Sequence, residues 1–119
     1  MAYSRESEFL QSERLIANIC KAFSHPARVR ILCKLVSMKK FTSHEELIND
    51  IPLAPTTVSQ HLLKLRQLNI IRSQNSTKQN STEHAINPQI AKSSILINLI
   101  TSYAQSRHEL SQADTRVIS

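Results

Sequence analysis

The stretch Leu53–Ile71, LAPTTVSQHLLKLRQLNII, decides the fold. Pro55 suits the first turn of a helix, where a missing N–H costs nothing and the fixed φ is already helical. From there Val58, Leu62 and Leu65 recur at intervals of four and three, giving one narrow apolar stripe. At about 100° per residue, the opposite side holds Thr56, Gln60, Leu63 and Gln67, flanked by Ser59 and Lys64. A helix with so thin an apolar edge is held from behind and leaves its other side open. Ser, Thr and Gln can hydrogen-bond base edges or phosphates, and a helix fits the major groove, so the open side has the chemistry for reading DNA.

Upstream, Ser43 and Glu46 make an S-x-x-E capping box that opens a short helix, HEELIND, which stops before Pro52. The result is two helices joined by a tight turn. Nearer the N-terminus, SEFLQSERLIANICKAFS reads as an amphipathic helix with Leu15, Ile16, Ile19, Cys20 and Phe23 at helical spacing. Ser24 offers a cap and Pro26 a first-turn position for the next helix, PARVRILCKLVSM. Its expected buried stripe is Val29, Leu32, Cys33 and Val36, with Arg28, Arg30 and Lys34 on the other side.

Downstream, IIRSQ and STEHAIN read as the two strands of a hairpin around the polar NSTKQN, where Asn takes the left-handed geometry usually supplied by Gly. Asn87 and Pro88 look like the cap and first position of a last helix. In it, Ile90, Ile95, Ile97, Leu99, Ile100 and Tyr103 are more apolar residues than one face needs. The expected fold is mainly α, a winged helix–turn–helix of about five helices with a short two-stranded β-hairpin wing. Residues 1–110 are expected to form a single domain and residues 111–119 a flexible tail.

Composition agrees. A chain of 119 residues, 40% hydrophobic, can bury one modest core, and the absence of Gly with only 4 Pro disfavours a many-stranded sandwich. Residues 21–78 carry ten Lys or Arg against three acids, a net +7, whereas the whole chain carries +6. An excess confined to the middle points to a surface facing a polyanion; a merely solvated basic face is the plain alternative. The longest apolar run, SSILINLI, is too short to span a bilayer, and MAYSRESEF opens with charges instead of an apolar signal core, so a cytoplasmic protein without a membrane partner is expected. The two NST triplets, at Asn75 and Asn80, match a glycosylation pattern without a secretory route.

KAFSHPARVRILCKLV followed by LAPTTVSQHLLKLRQLNII resembles the arsenical-resistance repressor (ArsR/SmtB) family of winged helix–turn–helix regulators. The features that carry the resemblance are His25-Pro26-x-Arg28-x-Arg30-Ile31-Leu32 and Thr57-Val58-Ser59-x-His61-Leu62-x-x-Leu65. The resemblance implies a DNA-binding transcriptional regulator, a homodimeric repressor that binds a palindromic operator and releases it when an effector arrives. It further implies pairing through the first and last helices, here Leu15, Ile16, Ile19, Ile95, Leu96, Leu99, Ile100 and Tyr103. Carried over by position, Pro55, Thr56, Thr57, Ser59 and Gln60 lie near DNA, Leu63 and Lys64 farther along, and Lys78 on the wing. Arg28, Arg30, Lys64, Arg72 and Lys78 are the expected phosphate contacts.

This chain departs from the family at the wing, which lacks Gly and has His84-Ala85-Ile86 in place of aromatic residues. Asn69 stands where Gly is common, a position Asn can fill because it tolerates a left-handed cap. Leu63 stands where a polar or basic residue is usual, facing either a thymine methyl or a neighbouring helix.

Metal sensing, the first thing the resemblance suggests, lacks its ligands. The third helix has no Cys, and the last offers only His108 and Glu109, followed by Ser111. A transition metal needs three or four converging ligands, so neither metal nor cofactor is expected. Cys20 and Cys33 fall on apolar stripes, where a free Cys is usually an inert small hydrophobe; thiol-based redox sensing is the alternative for the pair. His61 lies beside the apolar stripe of its helix and is expected to make a structural hydrogen bond. No nucleophile, base and oxyanion site assemble, so no enzyme is expected. The competing reading is a winged-helix protein-interaction module that has lost specific DNA reading.

Overall fold

The computed structural model describes residues 8–76, 78 and 81–118, with side chains through Arg107. The chain divides into two units, residues 1–87 and 88–119.

The first unit runs α1 (Gln11–Ala22), α2 (Pro26–Met38), β1 (Thr42–Ser43), α3 (His44–Asp50), α4 (Pro55–Gln67), β2 (Ile71–Asn75) and β3 (Thr82–Ile86). Each helix starts where its sequence says it can. The N–H of Leu10 donates to the Glu13 carboxylate at 2.7 Å ahead of α1, and Ser43 Oγ accepts from the Glu46 N–H at 3.1 Å ahead of α3. The cap of α2 is not Ser24 but His25, whose Nδ1 accepts from the Ala27 N–H at 3.0 Å. Pro26 occupies the first helical position, which makes its predecessor the cap, and the Ser24 hydroxyl donates back to the Lys21 carbonyl instead.

The core is built from Ile19 and Ala22 of α1, Ala27, Ile31, Leu32 and Leu35 of α2, Leu47 of α3, and Val58, Leu62 and Leu65 of α4. The α4 stripe is the expected one. In α2 the buried set is rotated: only Leu32 of the predicted stripe is fully buried, while Val29, Cys33 and Val36 are half-buried. An apolar residue stands at nearly every position from Val29 to Val36, so spacing alone leaves the phase of that helix open. Cys20, expected on a buried stripe, is exposed, as is Ile16, because α1 sinks mainly Ile19 and Ala22.

Helix α4 ends in a Schellman motif. Asn69 takes φ 60°, its N–H reaches the Arg66 carbonyl at 3.0 Å, and the Ile70 N–H reaches the Leu65 carbonyl at 3.1 Å. The chain then enters the hairpin β2–β3, whose register pairs Ile71 with Ile86 and Ser73 with His84. The sheet has a third strand that sequence periodicity could not reveal, two-residue β1, antiparallel to β3 with Thr42 opposite His84. β3 is therefore the middle strand, and His84 is its buried residue.

The second unit holds α5 (Pro88–Ala91) and α6 (Ser94–Ile118). The single last helix expected from Asn87 is thus broken after one turn, where the Ser93 N–H closes on the Ile90 carbonyl at 2.9 Å and α6 restarts at Ser94. The backbone of α6 continues past Ser111 to Ile118. Among the described residues, no helix is long and apolar enough to cross a membrane.

Candidate nucleic-acid interface

Helix α4 is divided along its length. Val58, Leu62 and Leu65 are buried, while Pro55, Thr56, Gln60, Leu63, Lys64 and Gln67 are exposed and Thr57 and Ser59 half-buried. Its first turn has no side-chain cap, since Ala54 precedes Pro55; Pro55 has no N–H to offer, and the Thr57 N–H already donates to the Ala54 carbonyl at 2.9 Å. Leu63, for which packing against a neighbouring helix was one alternative, is 44% exposed, an apolar contact presented on the same side as Gln60 and Lys64.

Arg28, expected as a phosphate contact, is engaged inside the protein. Its Nη1 donates to the Lys21 carbonyl at 2.8 Å and to Ser24 Oγ at 3.2 Å, and its Nε donates to His61 Nδ1 at 3.2 Å. The guanidinium therefore ties the end of α1 to the flank of α4. His61 makes the structural hydrogen bond expected of it and lies against His25 with ring centroids 4.4 Å apart and the rings tilted by 40°. Its pKa lies below the ordinary value, first through desolvation and then through the neighbouring His25 and Arg28. A neutral His61 is what lets Nδ1 accept from the arginine. Arg30, Lys64, Arg72 and Lys78 are all exposed, so four of the five expected phosphate contacts present their charge to solvent. Lys34 is drawn toward Glu46 at 3.6 Å.

A set of residues with no sequence signature stands behind α4. Ser59 Oγ and His44 Nε2 are 3.0 Å apart, His44 Nδ1 and His84 Nε2 2.9 Å, and His84 Nδ1 and Ser73 Oγ 2.6 Å. This continuous chain of hydrogen bonds joins α4 through the start of α3 to both strands of the wing. His84 is 3% exposed, and its pKa is lowered to about 4, first by desolvation, then by His44 and Arg66. The two imidazoles are 40 positions apart in sequence, and only the register of the unforeseen β1 against β3 brings them together.

Among the described residues no group of three or more His, Cys, Asp or Glu converges as a metal site; the side chains of His108, Glu109 and Ser111 lie outside that set. Cys20 and Cys33 are both free thiols, and burial raises the pKa of Cys33, which disfavours the reactive thiolate. Of the residues assigned to pairing, Ile19 and Leu96 are buried, Leu15, Ile95, Ile100 and Tyr103 half-buried, and Ile16 and Leu99 exposed. Phe9 and Leu10, at the start of the first unit, are exposed as well.

Residues 25–73, which span α2 through the first half of the wing, match the model of the bacterial regulatory protein, arsR family. No curated protein matches the chain. Among solved structures, HlyU from Vibrio cholerae superposes with a TM-score of 0.67 at 20% identity over 81% of this chain and 99% of its own, a likeness of fold. A predicted DNA-binding transcriptional regulator from E. coli gives 0.61 at 29% identity over 80% of this chain and 92% of its own. The transcriptional repressor PagR of Bacillus anthracis gives 0.59 at 27% identity over 74% and 95%.

Proposed function

We propose, from the match of residues 25–73 to the arsR family model, that this protein is a sequence-specific DNA-binding transcriptional regulator, a homodimeric repressor that grips a palindromic operator through α4. The division of α4 carries the reading: a buried stripe fixes the helix, while Thr56, Gln60, Leu63 and Lys64 stand open beside it. Thr56, Ser59 and Gln60 supply hydrogen bonds to base edges, and Leu63 meets a thymine methyl. Arg30, Lys64, Arg72 and Lys78 neutralise phosphates, while Arg28 holds the helix in place from behind. The names of the E. coli and Bacillus anthracis neighbours support the same direction. Pairing through α1 and α6 is supported by the apolar side chains of Phe9, Leu10 and Ile16 left open on the first unit. An effector releases the operator, and the protein works in the cytoplasm, where its DNA is. A thiol-sensing role gains nothing from Cys33, which burial makes harder to ionise.

Selection of preferred duplexes from random DNA tests the reading without the effector. A palindrome is expected, with half-sites about 10 bp apart or a multiple of that, and with affinity falling by orders of magnitude between about 50 and 200 mM salt. Gln60→Ala should relax preference at one position per half-site, at a cost of about 1–3 kcal/mol on the preferred base. Equal loss on every duplex would remove Gln60 from base reading. A wild-type selection that returns no preferred sequence, alongside a tight protein partner, would replace the regulator with an interaction module.

A further inference from the structure

The chain Ser59–His44–His84–Ser73 can be satisfied in two ways, and the difference surfaces at Ser59. With both imidazoles neutral, each ring has one N–H, and the central contact between His44 Nδ1 and His84 Nε2 at 2.9 Å holds a single proton. If that proton belongs to His44, its Nε2 is bare and takes the Ser59 hydroxyl proton, while His84 Nδ1–H donates to Ser73 Oγ. If it belongs to His84, His44 Nε2–H donates to Ser59 Oγ, and the Ser73 hydroxyl donates to His84 Nδ1. In the first arrangement Ser59 offers only lone pairs outward; in the second its own hydrogen is free. Three proton hops along the chain interconvert the two, one proton entering at Ser59 from water and one leaving at Ser73 to water, so every group ends neutral. Both serines are half-buried, which leaves each end within reach of water.

We propose that His44, His84 and Ser73 are specificity-determining positioning residues, a relay that sets whether Ser59 presents a donor or an acceptor to a base edge. The inference rests on α4 being the base-reading helix. Guanine, thymine and the N7 of adenine present acceptors in the major groove, whereas cytosine offers only its amino donor. A hydroxyl that can switch roles accommodates either, and one held in a single role discriminates. Removing the Ser73 hydroxyl holds it. A buried N–H without an acceptor is rarer and costlier than an unused lone pair, so Ser73→Ala leaves His84 Nδ1 bare, moves its proton to Nε2, and turns His44 Nε2–H toward Ser59. The wing variant thereby makes Ser59 a donor, although residue 73 itself lies on another element.

The test repeats the random-duplex selection with wild type, S73A, S73T, S59A and the S59A/S73A double variant. If wild type returns no preferred duplex, the reading of α4 fails and the relay goes with it. If wild type does select, S73A is expected to shift one position per half-site away from cytosine, which offers no acceptor, by about tenfold. S73T, which keeps the hydroxyl, should select as wild type does, and S59A/S73A should select as S59A does. An S73A motif identical to wild type, a loss equal on all duplexes, or a shift that persists in the S59A background would overturn the relay. Imidazole 15N spectra of the wild-type protein give a second reading that needs no variant to fold. His44 and His84 should show shifts averaged between two tautomers, and a single fixed tautomer on either ring would overturn the proposal.

Discussion

His84 sits in the middle of β3, 3% exposed, with Ser73 on one nitrogen and His44 on the other. Burial, His44 and Arg66 bring its pKa to about 4, whereas in the unfolded chain it returns to about 6.5. The unfolded state therefore binds the extra proton first as pH falls, and stability that is complete above about 6.5 drains away until the folded pKa is reached. The full span corresponds to about 3 kcal/mol from this one side chain. Urea unfolding of wild type and His84→Gln between pH 7.5 and 4.5 should show the decline in the first and a flatter profile in the second. Parallel profiles would mean that the ring is solvated in the folded state. His61 shifts in the same direction, so the His84→Gln variant retains a shallower slope from that source.

At the scale of elements, the junction between α4 and the wing rests on Asn69. Its φ of 60° is a region that a Cβ disfavours by about 1–2 kcal/mol, less for Asn, and the Asn87 amide donates to its carbonyl at 2.9 Å. Asn69→Ala is expected to cost about 1 kcal/mol in urea unfolding and Asn69→Gly to be neutral or mildly stabilising; equal losses for both would locate the cost in the Asn side chain instead of the backbone. That position could be read from sequence because a left-handed cap leaves a chemical signature. So do Pro55 with its stripe, the Ser43–Glu46 box and the two long strands. What left none was geometry without periodicity: two residues of β1, the phase of an α2 rich in apolar positions, and the one-turn α5. The open side of α4 followed from a simple helical wheel. Its support did not, because Arg28 looks like any surface cation until Lys21, Ser24 and His61 are placed around it. The relay depended on strand register for the same reason.

For the molecule as a whole, charge and apolar surface divide the labour. The positive excess lies within residues 21–78, which include α2, α4 and the first half of the wing, while Phe9 and Leu10 just ahead of α1 and Ile16 within it are left uncovered. Isolated exposed apolar residues need no explanation, but three within eight positions beside one helix are a surface a second copy can cover. A charge placed there tests the pairing without touching the reading helix. Ile16 is 44% exposed in the single chain, so Ile16→Glu removes little core packing, and its thermal transition should stay close to wild type when measured at low concentration. In sedimentation the wild type should run as a dimer and the variant as a monomer. Joining two half-site readers makes the second contact effectively intramolecular, a gain of about 10²–10⁴ in binding. The variant should therefore lose about that much affinity for the full palindrome and almost none for an isolated half-site. A variant that sediments as a dimer would move the pairing surface away from α1. One that is monomeric yet binds the palindrome as tightly as wild type would mean that each copy reads its half-site alone.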